Sequence, residues 1–449
     1  MAKGKNIVKS TQGTLKLLFI VAMIIAWLVA GSTFLGKSAE EQQMELIQSG
    51  ESLLEDELYV RAAEKYVAAI NNYSTEKNNE LEAKLLCIYK EGNLLEEYQK
   101  LIEKRIENKK ASIEEYIAYG QEMIATGATT KAVKILAIGE EVYDDAVLTE
   151  LFESVKYENS VKALDSEIVR MPSTDWIIPA YNGEKWGFVE SDGDILIDYK
   201  YEEVLNFTGE YTVAKADGEY IVIDQRGNKI AIDETGVEEV TSMIGNKIVG
   251  VKEGRYYLFN KYFEPIILEK YPNGFEGIYL NDNGLVVAKM EGKWAIFSSG
   301  MESVTEFIYE DVVLNSREQI FTDKSAVVKD ANGYFVINQE GKAYFETRFA
   351  KMKGLEGGLI AFSNGDGKWG FVNGDGNVIV EPQYEDAYSF SQHLGAVKYA
   401  GKWGFINRYN TMVIEAQYEN AMPFLSGKSL VTDSLGIHKI ITLRYQEVF

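Results

Sequence analysis

The side chains that could do acid–base, nucleophilic or metal chemistry in this chain of 449 residues are plentiful in one class only. There are 69 acids, but just two histidines, His393 and His438, 45 positions apart, and one cysteine, Cys87. A zinc site needs clustered His and Cys ligands, and no such spacing occurs. Neither a Gly-x-Ser-x-Gly elbow nor a Walker or Rossmann glycine pattern is present. A glycosidase carboxylate pair has no fixed spacing, so the acids leave that chemistry open without pointing to any pair. Acidic glycine turns such as Ser191-Asp192-Gly193-Asp194, Asn281-Asp282-Asn283-Gly284 and Asn373-Gly374-Asp375-Gly376-Asn377 hold fragments of a calcium loop. They lack its remaining ligands and its twelfth-position Glu, and Asp-Gly or Asn-Gly is what a tight hairpin requires. The expectation is a protein that is not an enzyme, with no catalytic, cofactor or metal residues. Cys87, alone in Leu85-Leu86-Cys87-Ile88, reads as a small apolar helix residue, and no intramolecular disulfide is possible.

Charge narrows the partners. The net charge is −23, and the basic residues Lys3, Lys5, Lys9 and Lys16 precede the first acid, Glu40, so the rest of the chain is more acidic still. Such a body repels nucleic acid and anionic lipid.

The elements that would position any site are announced by a motif that returns eight times. A Gly, a short spacer and an aromatic open an apolar strand, with anchors at Trp186, Tyr220, Tyr256, Trp294, Tyr334, Trp369, Trp403 and, in degenerate form, His438. Successive spacings are 34, 36, 38, 40, 35, 34 and 35 residues, the signature of one supersecondary unit stacked many times. A full unit runs through Gly395-Ala396-Val397-Lys398-Tyr399, the turn Ala400-Gly401-Lys402, Trp403-Gly404-Phe405-Ile406-Asn407, Met412-Val413-Ile414-Glu415 and Tyr418-Glu419-Asn420-Ala421. Short strands with a glycine turn at every step predict an all-β meander. The anchors, each just after a turn at the start of a strand, are expected to pack between repeats, with function on the variable loops.

The Lys-Trp-Gly-Phe-Val/Ile signature, followed by Val-Ile and a later Tyr-Glu/Asp, resembles the bacterial WG-repeat family over roughly residues 176–449. It is strong at Trp186, Trp369 and Trp403 and weaker where Tyr220, Tyr256 and Tyr334 replace Trp and Ala295 replaces Gly. The resemblance implies a β-repeat domain with no established catalytic residues. Eight units predict a β-propeller of about eight blades, with an open β-solenoid as the alternative. The end Tyr445-Gln446-Glu447-Val448-Phe449 mirrors Tyr201-Glu202-Glu203-Val204-Leu205, so the C-terminal strand is expected to complete the first unit.

Upstream, residues 38–165 have apolar positions at helical spacing. Glu57, Gly92 and Gly127, then Ala62, Glu97 and Ala132, then Tyr66, Leu101 and Leu136 align at a 35-residue offset. This resembles a tetratricopeptide (TPR) array, implying helical hairpins that form a peptide groove or a stalk. Residues 17–36 are uncharged and apolar enough for a transmembrane signal-anchor behind a basic tail, residues 1–16; a cleaved signal peptide is the competing reading. The charge asymmetry then predicts a single-pass plasma-membrane protein of a bacterium, N-terminus in the cytoplasm and later domains extracytoplasmic.

The sequence therefore predicts a multidomain protein: an N-terminal transmembrane helix, all-α TPR-like hairpins (38–165) and an all-β WG-repeat domain (176–449). Its expected role is a non-catalytic, membrane-anchored scaffold for a protein or peptide partner, without nucleic acid or cofactor. A cell-wall glycan or peptidoglycan module is the alternative, and a glycan-active enzyme comes last.

Overall fold

A computed structural model describes residues 38–73, 75–173 and 176–444. The chain divides into two compact units, Met1–Phe152 and Glu153–Phe449. Among the described residues the helices are α1 (Ala39–Glu55), α2 (Tyr59–Asn72), α3 (Asn78–Glu91), α4 (Leu95–Glu107), α5 (Ile113–Ala125), α6 (Thr129–Val142) and α7 (Ala146–Lys156). Capping boxes start α1 and α5: Ser38 and Ser112 accept the N–H of Glu41 and Glu115, whose carboxylates accept the Ser N–H in return. Glycines let the paired helices touch. A β-carbon at Gly50 would lie 2.7 Å from the Tyr66 ring, and one at Gly120 would lie 2.5 Å from Leu136. Among the described residues the charges deep in this unit are spent on structure: buried Arg105 is paired with Glu82 and Glu115 and donates to the carbonyls of Asn79 and Lys110.

The expected N-terminal transmembrane helix is corrected. Among the described residues no helix is long and apolar enough to cross a membrane, and the helices that do form each keep a polar face. With it goes the expected single-pass plasma-membrane location with extracytoplasmic domains. Residues 1–16 and 17–36, on which both expectations rested, lie outside the described residues.

The second unit is a ring of eight antiparallel sheets. The first blade has strands Ile168–Val169, Ile177–Tyr181, Trp186–Glu190 and Ile195–Tyr201, and the seventh has Asp386–Ala387, Leu394–Tyr399, Lys402–Asn407 and Met412–Tyr418. Eight hydrophobic clusters join neighbouring blades. One sets Phe188 and Ile197 against Ala214 and Ile221 of the second blade, and another sets Phe405 and Ile414 against Val431 and Ile441 of the eighth. The ring closes because Leu430 and Ile440 of the eighth blade share a core with Ile178, Ala180 and Val189 of the first. This is the propeller, not the open solenoid.

Closure uses a strand from the other end of the array. Asn159–Ala163 pairs with His438–Leu443 and becomes the fourth strand of the eighth blade, while the first blade already has four strands of its own. Tyr445–Phe449, expected to complete the first unit, lie outside the described residues. Sharing one blade between chain ends that are distant in sequence removes both open sheet edges.

The motif's glycine has a steric cause. In the first, sixth and seventh blades the fourth strand crosses directly over the residue after Trp, with a register shift there. A β-carbon at Gly187, Gly370 or Gly404 would lie 2.6, 2.4 or 2.6 Å from the carbonyl oxygen of Ile197, Val380 or Ile414. Trp then reaches the motif's Tyr, giving the pairs Trp186–Tyr201, Trp369–Tyr384 and Trp403–Tyr418. The fourth blade has three regular strands, and only isolated bridges, Trp294–Tyr309 and Phe297–Ser303, stand where the fourth would run. Ala295 fits there without a crossing backbone.

Candidate functional site

Most of the residues singled out by type are occupied in holding the fold. Tyr220, Trp294 and Trp403 are buried in inter-blade clusters, and Trp186, Tyr256, Tyr334 and Trp369 pack partly buried against others. His438 stands alone among the anchors in lacking a core place; its ring contacts Thr432 Oγ1 at 3.1 Å and the Glu167 carbonyl at 3.2 Å, where the closing blade meets the first. The acid of the Tyr-Glu pair is a turn cap. Glu202 accepts the Gly218 N–H, Glu276 the N–H groups of Glu291 and Gly292, and Glu385 the Gly401 N–H. The glycine turns are closed by Asx contacts, with Asn373 and Asn407 each accepting two N–H groups four residues or fewer ahead. Among the described residues no group of three or more His, Cys, Asp or Glu could hold a metal ion. Cys87 is exposed on α3.

What the repeats leave open is a cavity on the ring axis, of about 520 Å³. Its lining includes residues on or just after the first strands of three consecutive blades, Ile168 and Arg170, Glu203 and Leu205, Glu239 and Thr241, together with residues of later strands such as Trp186, Lys215 and Tyr220. Glu318 of the fifth blade lines the same space, and only the axis is reachable from the fifth blade and the first three together. The intervening residues Val169, Val204 and Val240 are alike and buried, and Val204 and Val240 also border the cavity.

Arg170 is the unusual member. Its Nη2 donates to the Val204 carbonyl and its guanidinium lies 4.4 Å from the centre of the Trp186 ring. Its Nε is buried with no partner, and among the described residues it makes no ion pair. Burial pushes its pKa down, with Glu318 acting in the opposite sense. Thr241 Oγ1 is also buried without a partner. Glu203, by contrast, is engaged by Tyr220 Oη at 3.1 Å and Lys215 Nζ at 3.5 Å. A second cavity, about 400 Å³ and mostly apolar, lies beside the third blade between Tyr256, Phe259, Ile266 and Tyr271.

Sequence reasoning missed Arg170, Thr241 and Glu318. One signal was present. Arg170, Leu205 and Thr241 are one repeat apart, so a cation falls where the next unit has an apolar residue.

A closed ring of eight repeated antiparallel units of three or four strands, with most of its repeated aromatic side chains used for packing, defines a repeat β-propeller. The model of the WG containing repeat matches residues 186–220, 369–403 and 403–432, each match starting at a Trp anchor. The chain is a WG-repeat protein. No curated protein matches it. Solved structures similar to it include Hsv2 of Kluyveromyces lactis (10% identity, 62% of this chain and 97% of that one, TM-score 0.35). A structure titled as the eukaryotic initiation factor is 10% identical over 62% of this chain and 82% of that one, TM-score 0.39. The N-terminal domain of Nup159 is 11% identical over 64% and 96%, TM-score 0.28. Scores this low carry no argument about function.

Proposed function

We propose that this protein is a non-catalytic interaction module whose propeller holds a protein or peptide partner. One observation carries this reading: beside valines that stay the same from blade to blade, the cavity presents positions that change. Val169, Val204 and Val240 are the same residue in consecutive blades, while the neighbouring cavity positions run Arg170, Leu205, Thr241. Packing needs sameness from blade to blade, and recognition needs difference. A scaffold role for the helical hairpins fits the same reading. The glycan alternative would need exposed aromatic anchors, and each of the eight is buried or half-buried.

The test is lysine-directed cross-linking of the full-length protein in its own cells, followed by mass spectrometry. Reproducible cross-links from one partner to Lys215 or other lysines around the ring axis are expected. Their absence, with the protein instead co-sedimenting with wall material, would replace this reading by the glycan one.

A further inference from the structure

We infer that the axial cavity takes a peptide segment carrying an acidic and a basic side chain together, the carboxylate on Arg170 and Thr241 and the cation between Glu239 and Glu318. This rests on the peptide-binding reading above and names its site and its chemistry.

The argument begins with cost. Taking a guanidinium out of water is unfavourable unless an anion and hydrogen bonds replace the water. Arg105 in the helical unit shows the usual resolution, with two carboxylates and two carbonyls around one buried arginine. Arg170 has one carbonyl and an aromatic face, and its Nε is left over. Thr241 supplies a second unpaired polar atom lining the same cavity. A hydroxyl and a guanidinium N–H are both donors that a carboxylate oxygen satisfies, and charge-assisted bonds of this kind are the strong ones.

The same cavity also carries acids, Glu239 two residues from Thr241 on one strand and Glu318 from the fifth blade. Among the described residues neither Glu239 nor Glu318 makes an ion pair, and both line the space. A phosphate or a run of acids would be repelled by them, and a lone cation would gain nothing from Arg170. A ligand bearing both signs complements both kinds of charge in the lining. Its apolar stem has Trp186 and Tyr220 to lie against. The volume, about 520 Å³, is within the ordinary range for a pocket that encloses a few side chains.

The probe is a pool of random octapeptides, acetylated and amidated so that terminal charges do not mimic the ligand, offered to the immobilised full-length chain. Peptides pairing Asp or Glu with Lys or Arg are expected to be enriched. Arg170→Gln should weaken the best of them at least tenfold and Thr241→Val severalfold, while Glu239→Gln should remove the preference for a basic residue. Enriched peptides that bind all three variants undiminished would place the site elsewhere and overturn this inference, with peptide binding itself intact. A wild-type chain that enriches no peptide would overturn both. Should Arg170→Gln fail to fold, Thr241→Val and Glu239→Gln carry the same decision. A double-mutant cycle in which Arg170→Gln and Glu318→Gln couple strongly in stability, without effect on peptide binding, would make the pair a structural one and also overturn the inference.

Discussion

Gly404 lies directly beneath the carbonyl oxygen of Ile414, so that a β-carbon on it would come within 2.6 Å of that atom. The signature Trp-Gly is therefore a joint requirement. Trp403 fills the inter-blade core, and the glycine lets the next strand pass close enough for Trp403 to pair with Tyr418. Gly187 and Gly370 do the same in their blades.

The first prediction follows from that contact. Gly404→Ala must displace backbone rather than a flexible side chain, so it should destabilise the propeller by about 1–3 kcal/mol, the usual range for overpacking. Ala295→Gly, in a blade without the crossing strand, should cost only the loss of a small buried side chain and backbone freedom, about 1 kcal/mol. Urea denaturation of each variant checks this; equal losses would mean that the crossing does not explain the motif.

Ring closure can be tested through the backbone alone. The Leu164 N–H donates to the His438 carbonyl and the Arg444 N–H to the Glu158 carbonyl. By antiparallel alternation the N–H of Lys162 faces the partner strand and that of Val161 faces away. Both side chains are exposed, so little packing is at stake. Lys162→Pro should lower stability by at least about 1–3 kcal/mol through an unmade ladder bond and an orphaned carbonyl, and Val161→Pro by clearly less. Thermal unfolding that ranks Val161→Pro as the worse variant would refute this register.

A pH dependence should arise at Glu356. Burial raises its carboxyl to about 7, although the Ser316 N–H donates to it at 2.6 Å and Arg317 lies near. The folded state thus holds its proton more tightly than the unfolded chain, whose carboxyl has the ordinary value of 4.5. The sign follows from linkage: this contribution is fully present below pH 4.5 and is lost as pH rises to about 7. Glu356→Gln keeps an acceptor for Ser316 and removes the titration. Its Tm should exceed that of the parent above pH 7 and converge with it near pH 4.5; parallel curves would rule the effect out.

How much of this was open to a reader of the sequence depends on distance along the chain. The repeat period, the eight anchors and the propeller of about eight blades follow from local patterns, written by turn glycines and apolar strands within each unit of 34–40 residues. Closure was not legible. Its strand, Asn159–Ala163, is mostly exposed, shows no apolar face, and pairs with residues 275 or more positions away. The opposite end of the array looked the better candidate because it echoed the Tyr-Glu motif.

The axial cavity shows the same division. That Arg170 breaks a run of uncharged residues could be read from the repeat, but its burial, its stacking on Trp186 and the approach of Glu318 from the fifth blade arise only when eight units close into a ring. By itself the sequence determined the unit, its number and its packing residues, because those depend on periodicity and on contacts between adjacent strands. The tertiary structure alone decided which end closes the ring and which charges meet on its axis, because those depend on where distant segments are brought by closure.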